Sequence, residues 1–405
     1  MNAVHLDCSR RIAAVALAAM LATTGLAAQD RPSEFDGYLV PGWSFTPGIS
    51  IASVWDTNVA LAGRSGETGR TEGDNIFTIV PFGQLALESK RTHFSAGYRG
   101  YVRRHVDIET LNGFDHNAHV SFRHMLSPRV TLFASNHFSD SPTTDLIELN
   151  GVPFARIGSR SNRLNGGVEG LLSKYTTLRV NYENTWTKFD SLEGFLSDGT
   201  VHGVGVDLMR RLSERLTIGV EGRLRRSDVT RFDPRVIWFQ DGRGAVEYRL
   251  TEHVAVSGAI GITHLKDSRF SETRTAPYYR LGIERRTGRG VIGLVLERSY
   301  TPTFGFSGSH DNQELRGFIY MPFSRNRFYV QSDGTWRRSN PFFAGGELQL
   351  DTYLTSATIG YSATRWLRLE GYHAYSRQDS IVTGGEVNRH RIGAQVVVSQ
   401  PMRIR

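Results

Sequence analysis

Cysteine is nearly absent: Cys8 is the only one in 405 residues. It lies ahead of an apolar run at residues 12–21, in a stretch with the form of a removable leader, so the rest of the chain has no thiol and no disulfide framework. Long hydrophobic runs are also absent. No other stretch approaches the ~20 apolar residues of a membrane helix, so entry into a membrane would have to be by strands. No composition shift and no Pro- or Ser-rich linker marks a domain boundary. Catalytic signatures are missing too. There is no HExxH or other zinc-like histidine spacing and no G-x-S-x-G elbow. Gly-rich pieces such as Asn165-Gly166-Gly167 sit within strand patterns rather than phosphate loops. His116, His119 and His124 share one strand, with His119 facing away from the other two, which lie too far apart to share a metal. Asp140 and Asp145 read as solvated loop rather than a calcium site. No catalytic residue, no cofactor and no metal is expected. One grouping, His137, Ser139 and Asp140 at a strand's outer end, has the residue types of a barrel hydrolase.

What is present is alternation. Residues 201–225, VHGVGVDLMRRLSERLTIGVEGRLR, form two runs around the turn Ser213-Glu214-Arg215. In the second run Leu216, Ile218, Val220 and Leu224 fall on one face; Thr217, Glu221, Arg223 and Arg225 fall on the other. A period of two is the mark of a strand, because successive side chains leave a pleated backbone on opposite sides. The unit recurs along the chain. Short turns built on Ser or Thr with a charged residue close behind alternate with longer loops, read at 58–74, 139–160, 189–199 and 229–241 among others. Strands are read at 45–56, 75–88 and 92–106, later at 242–250 and 278–286, and finally at 388–399. The chain then ends Gln400-Pro401-Met402-Arg403-Ile404-Arg405, without the terminal aromatic usual in outer-membrane barrels. Eight short turns and nine longer loops imply about 18 strands with both ends on the short-turn side, the arrangement of a transmembrane antiparallel up-and-down β-barrel. A propeller or a sandwich would need blade repeats or several domains, and neither is visible.

In lipid the apolar face points outward. The lumen lining expected on that rule is Arg99, Arg103, Arg123, Arg179, Glu221, Arg223, Arg225, Glu247, Arg249, Arg280, Arg316 and Glu370, with Arg286, Arg368, Glu183, Glu284, Glu297 and Glu314 interleaved. Cross-strand Arg–Glu pairing then either braces the wall, the ordinary reading, or leaves a wet, net-basic channel for an acidic solute or polymer. Aromatics gather near strand ends: Trp43, Phe45 and Trp55; Tyr175, Tyr182 and Trp186; Tyr353, Tyr361 and Trp366. Their amphipathic rings suit a membrane interface. The net charge of +8 and pI near 9.7 fit an anionic surface or acidic substrate, or simply an Arg-rich solvated surface. No nucleic-acid partner is expected.

Arg10 and Arg11, the apolar run and Gly25 with Ala27 give residues 1–27 the form of a secretory signal peptide. Residues 28–44 read as a short periplasmic lead and 45–405 as the barrel. The segments PGISIASVWDTNV (47–59) and GDNIFTIVPFGQLALESKRTHFSAGYRGYVRRH (73–105) resemble the β-barrel porin 2 family, outer-membrane barrels of exopolysaccharide loci. The resemblance is carried by Pro47-Gly48, Asp56 with Asn58, residues 81–87, and 98–101. The Leu-Ser-x-Arg turns at 126–129 and 212–215 are similar too. It is best over residues 40–138 and weak over the rest. It implies a water-filled outer-membrane conduit for exopolysaccharide or capsule export, with outer-membrane lipid, polysaccharide and a periplasmic export protein as partners. The alternatives are a general diffusion porin, a non-conducting structural or adhesive barrel, and a barrel hydrolase.

Overall fold

A computed structural model describes residues 41–62, 72–144, 154–190, 196–230, 234–269, 273–303, 308–342, 349–380 and 385–404. The leader read at 1–27, residues 28–40 of the lead and Asp145 lie outside the described residues. Residues 41–405 form one unit. Its strands are β1 (Gly42–Asp56), β2 (Asp74–Glu88), β3 (Thr92–His105), β4 (Gly113–Ser127), β5 (Val130–Ser141), β6 (Ser159–Leu171), β7 (Thr176–Phe189), β8 (Gly199–Arg211) and β9 (Leu216–Val229). They continue as β10 (Arg235–Arg249), β11 (Val254–Asp267), β12 (Thr273–Arg286), β13 (Val291–Thr303), β14 (Gly308–Phe323), β15 (Phe328–Pro341), β16 (Leu350–Ser362), β17 (Leu367–Ser380), β18 (Gly385–Ser399) and a three-residue β19 (Met402–Ile404). From β1 to β18 each strand pairs antiparallel with the next, and β18 pairs back with β1 from Gly48↔Ser399 to Asp56↔Arg391. That pairing closes an 18-strand barrel, so no long strand is left at an edge.

The short turns use one chemistry. Ser213 Oγ accepts the N–H of Arg215 at 3.2 Å and of Leu216 at 3.0 Å. Ser89, Thr251 and Thr364 do the same for the two amides that follow at the same spacing. A hydroxyl two or three residues upstream stands in for a backbone acceptor and tightens the turn. The turn between β14 and β15 has no such hydroxyl bond; Ser324, Arg325 and Asn326 instead take φ of 51°, 57° and 68°. Three successive residues in the left-handed region reverse the chain sterically.

The outward face is apolar in a band. Ile260 is 72% exposed, and Val220, Ile262, Leu281 and Ile359 are exposed around the barrel. Trp43, Tyr175 and Trp366 flank the band on the short-turn side, and Trp55, Tyr182, Trp238 and Tyr353 on the other, all exposed. Beyond that second girdle the outward faces turn charged. Arg160 pairs with Asp140 at 3.2 Å, Arg226 with Asp228 at 2.8 Å, and Arg338 with Asp351 at 2.8 Å. The strands therefore rise past the apolar band into water.

That rise corrects the outer strand ends. The loop read at 229–241 is short, because β9 runs to Val229 and β10 begins at Arg235. Arg235, Ile237, Phe239 and Asp241 are buried on the inner face while Val236, Trp238 and Gln240 face out. Apolar residues on both faces hide the alternation. At the outer ends of β12, β5 and β6 residues polar on both faces hide it instead, and β12 begins at Thr273 rather than 278, while β5 and β6 reach Ser141 and Ser159. The closing strand runs from Gly385, not 388. After Pro401, which has no N–H to give, the ladder resumes as β19 against Trp43–Phe45.

Replacing Ile260 with Arg should cost about 2–4 kcal/mol, the penalty of a charge in the lipid-facing band. Arg226→Ala, above the girdle, should cost under about 1 kcal/mol. Urea unfolding in lipid vesicles measures both, and equal costs would mean that the apolar band has been set at the wrong height.

Candidate pore lining and outer mouth

The inner face is set by parity. On β9 Glu221, Arg223 and Arg225 turn inward, and on β3 Arg99 and Arg103 do. Register brings the inward charges of successive strands side by side: Glu169↔Arg179 between β6 and β7, Arg179↔Asp207, Asp207↔Glu221, then Glu221↔Arg243. A parallel row runs Arg280↔Glu297, Glu297↔Glu314 and Glu314↔Arg337. Directly opposed like charges such as Glu297 and Glu314 repel. Here each has a guanidinium on its other side: Arg337 holds Glu314 at 2.7 Å, and Arg280 stands 4.0 Å from Glu297.

The expected lining residues all sit on this inner face, and the structure gives most of them partners. Arg123 reaches Glu169 at 3.3 Å, Arg225 reaches Asp241 at 2.9 Å, and Arg103 pairs with Asp115. Arg99 lies over the Phe82 ring and Arg179 over Phe133. Glu370 accepts from Arg368, Tyr329 and Gln395. The Tyr329 ring gets there by crossing Gly360, where a Cβ would collide with it. Glu247 and Arg249 lie near the short-turn end of β10, and Arg316 lies opposite Val295 and Thr335. The pairs do not consume every donor. The Nε–H groups of Arg179, Arg223 and Arg243 are buried from bulk solvent and have no hydrogen-bond partner in the protein. Arg243 was not among the expected lining residues, although it shares a face with Glu247 and Arg249 in the strand read at 242–250. It lies 3.7 Å from the Tyr278 ring centroid and 3.6 Å from Asp241.

The hydrolase grouping comes apart. His137 and Ser139 point inward, whereas Asp140 points outward to Arg160. His137 Nε2 meets Asn117 Nδ2 at 3.3 Å, not a carboxylate.

The outer mouth is narrowed by segments that cross the interior. Asp56 and Asp74 are opposed across β1 and β2, and each is fully engaged. Arg389 of β18 binds Asp56 at 2.5–3.0 Å, while the Asp74 carboxylate accepts the N–H groups of Val106, Asp107 and Ile108. Asn58 Nδ2 donates to the carbonyls of Ala62 and Asn388. From the β5–β6 connection, Phe154 N–H donates to Gln378 Oε1 at 2.6 Å, and Phe154 packs with Leu61 and Val387. Arg156 donates to the carbonyls of Val59 and Leu111 at 3.1 and 3.4 Å. Burial, with Arg389 and Arg103 nearby, lowers its pKa from the usual arginine value.

On another arc the wall itself folds in. The β12–β13 ladder stops at Tyr279↔Arg298, while β12 stays paired with β11 and β13 with β14 beyond that point. Tyr300, 1% exposed, packs with Ile237, Phe239, Leu265 and Ala276, the inward residues of β10, β11 and β12. Phe342 covers it at 5.0 Å, and Arg274 donates to the Phe342 carbonyl at 2.7 Å.

A closed strand ring, apolar outside between two aromatic girdles and charged inside, defines a transmembrane β-barrel of the outer-membrane type. It is a multi-pass barrel that crosses the membrane with its strands. Solved structures similar to it include OccAB4 of Acinetobacter baumannii and OpdO of Pseudomonas aeruginosa, each at 10% identity and TM-score 0.47, covering 89% of this chain and 98% of the other. The siderophore receptor PirA of Pseudomonas aeruginosa is similar at 9% identity and TM-score 0.43, over 90% of this chain and 81% of that one. These are likenesses of fold. No family model and no curated protein matches the chain.

Truncating Asp56 to Ala leaves Arg389 buried without that partner and should cost about 3–5 kcal/mol. The double variant Asp56→Ala/Arg389→Leu should lose less than the single one in the same urea titration. A double variant no better than the single would show that Asp56 acts through its local turn and not through the pair.

Proposed function

We propose that this barrel is a porin, a water-filled passage for hydrophilic solutes with a preference for anions. The observation that supports it best is the run of inward guanidinium groups at Arg179, Arg223 and Arg243, whose Nε–H donors the protein leaves unused. In a lumen shielded from bulk water such donors favour carboxylate or phosphate groups in transit. Arg99, Arg103, Arg123, Arg225, Arg249, Arg280, Arg316, Glu221, Glu247 and Glu370 complete the proposed lining.

Which solute passes is a finer matter. The resemblance of residues 40–138 to exopolysaccharide-locus barrels supports a polysaccharide conduit, with a periplasmic polysaccharide-export protein at the short-turn rim. The narrowed outer mouth favours the other reading, a diffusion porin for small solutes. Phe154, Arg156, Tyr300 and Phe342 occupy space that a polymer would need.

Planar bilayers test the passage. The pure protein should open steady ohmic channels, and a silent barrel would sink the porin reading in favour of a structural one. Arg223→Gln with Arg243→Gln should lower the anion-to-cation permeability ratio about two- to threefold at low salt, an effect that fades as salt screens the lumen. An unchanged reversal potential would place selectivity elsewhere. Liposome swelling by monosaccharides but not by oligosaccharides would select the small-solute reading.

A further inference from the structure

The break between β12 and β13 follows from the residues at the seam. Arg286 N–H bonds the His253 carbonyl on the β11 side. Backbone polar groups alternate between neighbours along an antiparallel strand. The even-numbered residues of β12 therefore serve β11 and the odd-numbered ones serve β13. Across the paired part, odd residues of β12 meet even residues of β13, ending at Tyr279↔Arg298. Continued outward, that register would set Pro277 against Tyr300 and Thr275 against Pro302. Both prolines fall on the side of their strand that faces the seam, and neither has an N–H to give. Each of the next two bonded pairs would thus be missing one bond. The Tyr300 carbonyl, which would have looked to Pro277 for a donor, takes Arg225 Nη2 at 3.1 Å instead. Arg225 stands on β9, so this bond is made across the interior.

The inward-folded arm carries a cost of its own. Tyr300 OH, Ser309 Oγ and His310 Nδ1 are all buried and have no hydrogen-bond partner in the protein. All three sit on the outer ends of β13 and β14. A buried polar group without a partner opposes the state that buries it. Against this stand the apolar contacts of Tyr300 with Phe239, Leu265 and Phe342, and the bond from Arg225. Swinging the arm back toward the wall would return the three polar groups to water and give up those contacts. Contacts that hold the arm in are thus offset by groups that favour its release, as expected of an element with two accessible positions.

We propose that the outer ends of β13 and β14, residues 299–303 and 308–312, form a gate hinged at the seam with β12. It closes the outer mouth by seating Tyr300 on the inner face of β10–β12, and it opens by swinging back toward the wall. Pro277 and Pro302 keep the seam from zipping shut, so the wall position never becomes permanent. This rests on the pore reading, and the experiment separates the two.

A Cys8→Ser background removes the only native thiol. Into it Ala276→Cys and Tyr300→Cys are introduced together, for oxidation across the seated contact. Single-channel conductance or open probability should fall at least about fivefold on oxidation and recover on reduction, the ratio for roughly 1 kcal/mol between states. Pro277→Val with Pro302→Val restores both donors and should raise the open fraction by a similar factor. Conductance that is equal in the oxidised and reduced barrel, with the bond shown to form, overturns the gate while leaving the pore intact. If every variant is silent, the pore reading fails, and the arm is judged by maleimide labelling of the Tyr300→Cys thiol. Labelling within minutes in the folded barrel supports a moving arm. Protection equal to that of an Ile237→Cys thiol overturns it.

Discussion

Everything in this molecule follows from the demand that a backbone crossing lipid satisfy its own N–H and C=O groups. Water cannot do so inside hydrocarbon, and each orphaned group there costs several kcal/mol. An antiparallel sheet meets the demand everywhere except at its first and last strands. The nine-pair ladder from Gly48↔Ser399 to Asp56↔Arg391 removes that exception. Once the ring is closed, the period of two leaves each strand one face for lipid and one for the interior. The outward run Ile218, Val220, Leu224 and the inward run Glu221, Arg223, Arg225 are two sides of one consequence.

The same logic shows why charge can be so dense inside. A closed wall sets neighbouring inward residues at a fixed cross-strand spacing, so acids and bases on successive strands meet without further design. Glu169, Arg179, Asp207, Glu221 and Arg243 form such a row through register alone. Most of these contacts brace the wall, which was the ordinary expectation for mixed ladders. The bracing is incomplete at Arg179, Arg223 and Arg243, each with an unused N–H. In the proposed passage those donors would meet anionic groups in transit.

How much of this could be read from the chain depended on distance. The short turns were legible because their chemistry is local: Ser213 and the amides it binds lie within three residues. The alternation of β9 was legible because one face met lipid and the other water. The start of β10 was not, since Ile237 and Phe239 are apolar on the inner face while Val236 and Trp238 are apolar on the outer one. Above the membrane the rule linking polarity to face no longer holds, and Asp140 faces outward beside inward Ser139, so the residues of the hydrolase grouping do not share a face. The mouth was wholly illegible. Asp56 with Arg389, Phe154 with Gln378, and Arg225 with the Tyr300 carbonyl join residues far apart in sequence. No spacing pattern announces a contact across an interior.

The prolines show how the closing demand can be relaxed where lipid no longer enforces it. Inside the apolar band every rung of the ladder is needed, and β12 and β13 stay paired through Tyr279↔Arg298. Tyr279 stands between Ile260 of the apolar band on one side and Arg298, paired with Asp311, on the other. Above it water can serve a freed backbone group, so losing a rung costs little. Pro277 lies opposite Ile262 on the β11 side and, like Pro302, past the last rung on the seam side, where a missing donor prevents the strands from rejoining fully. A barrel that must be sealed in the membrane can in this way have an arm above it that is free to leave the wall.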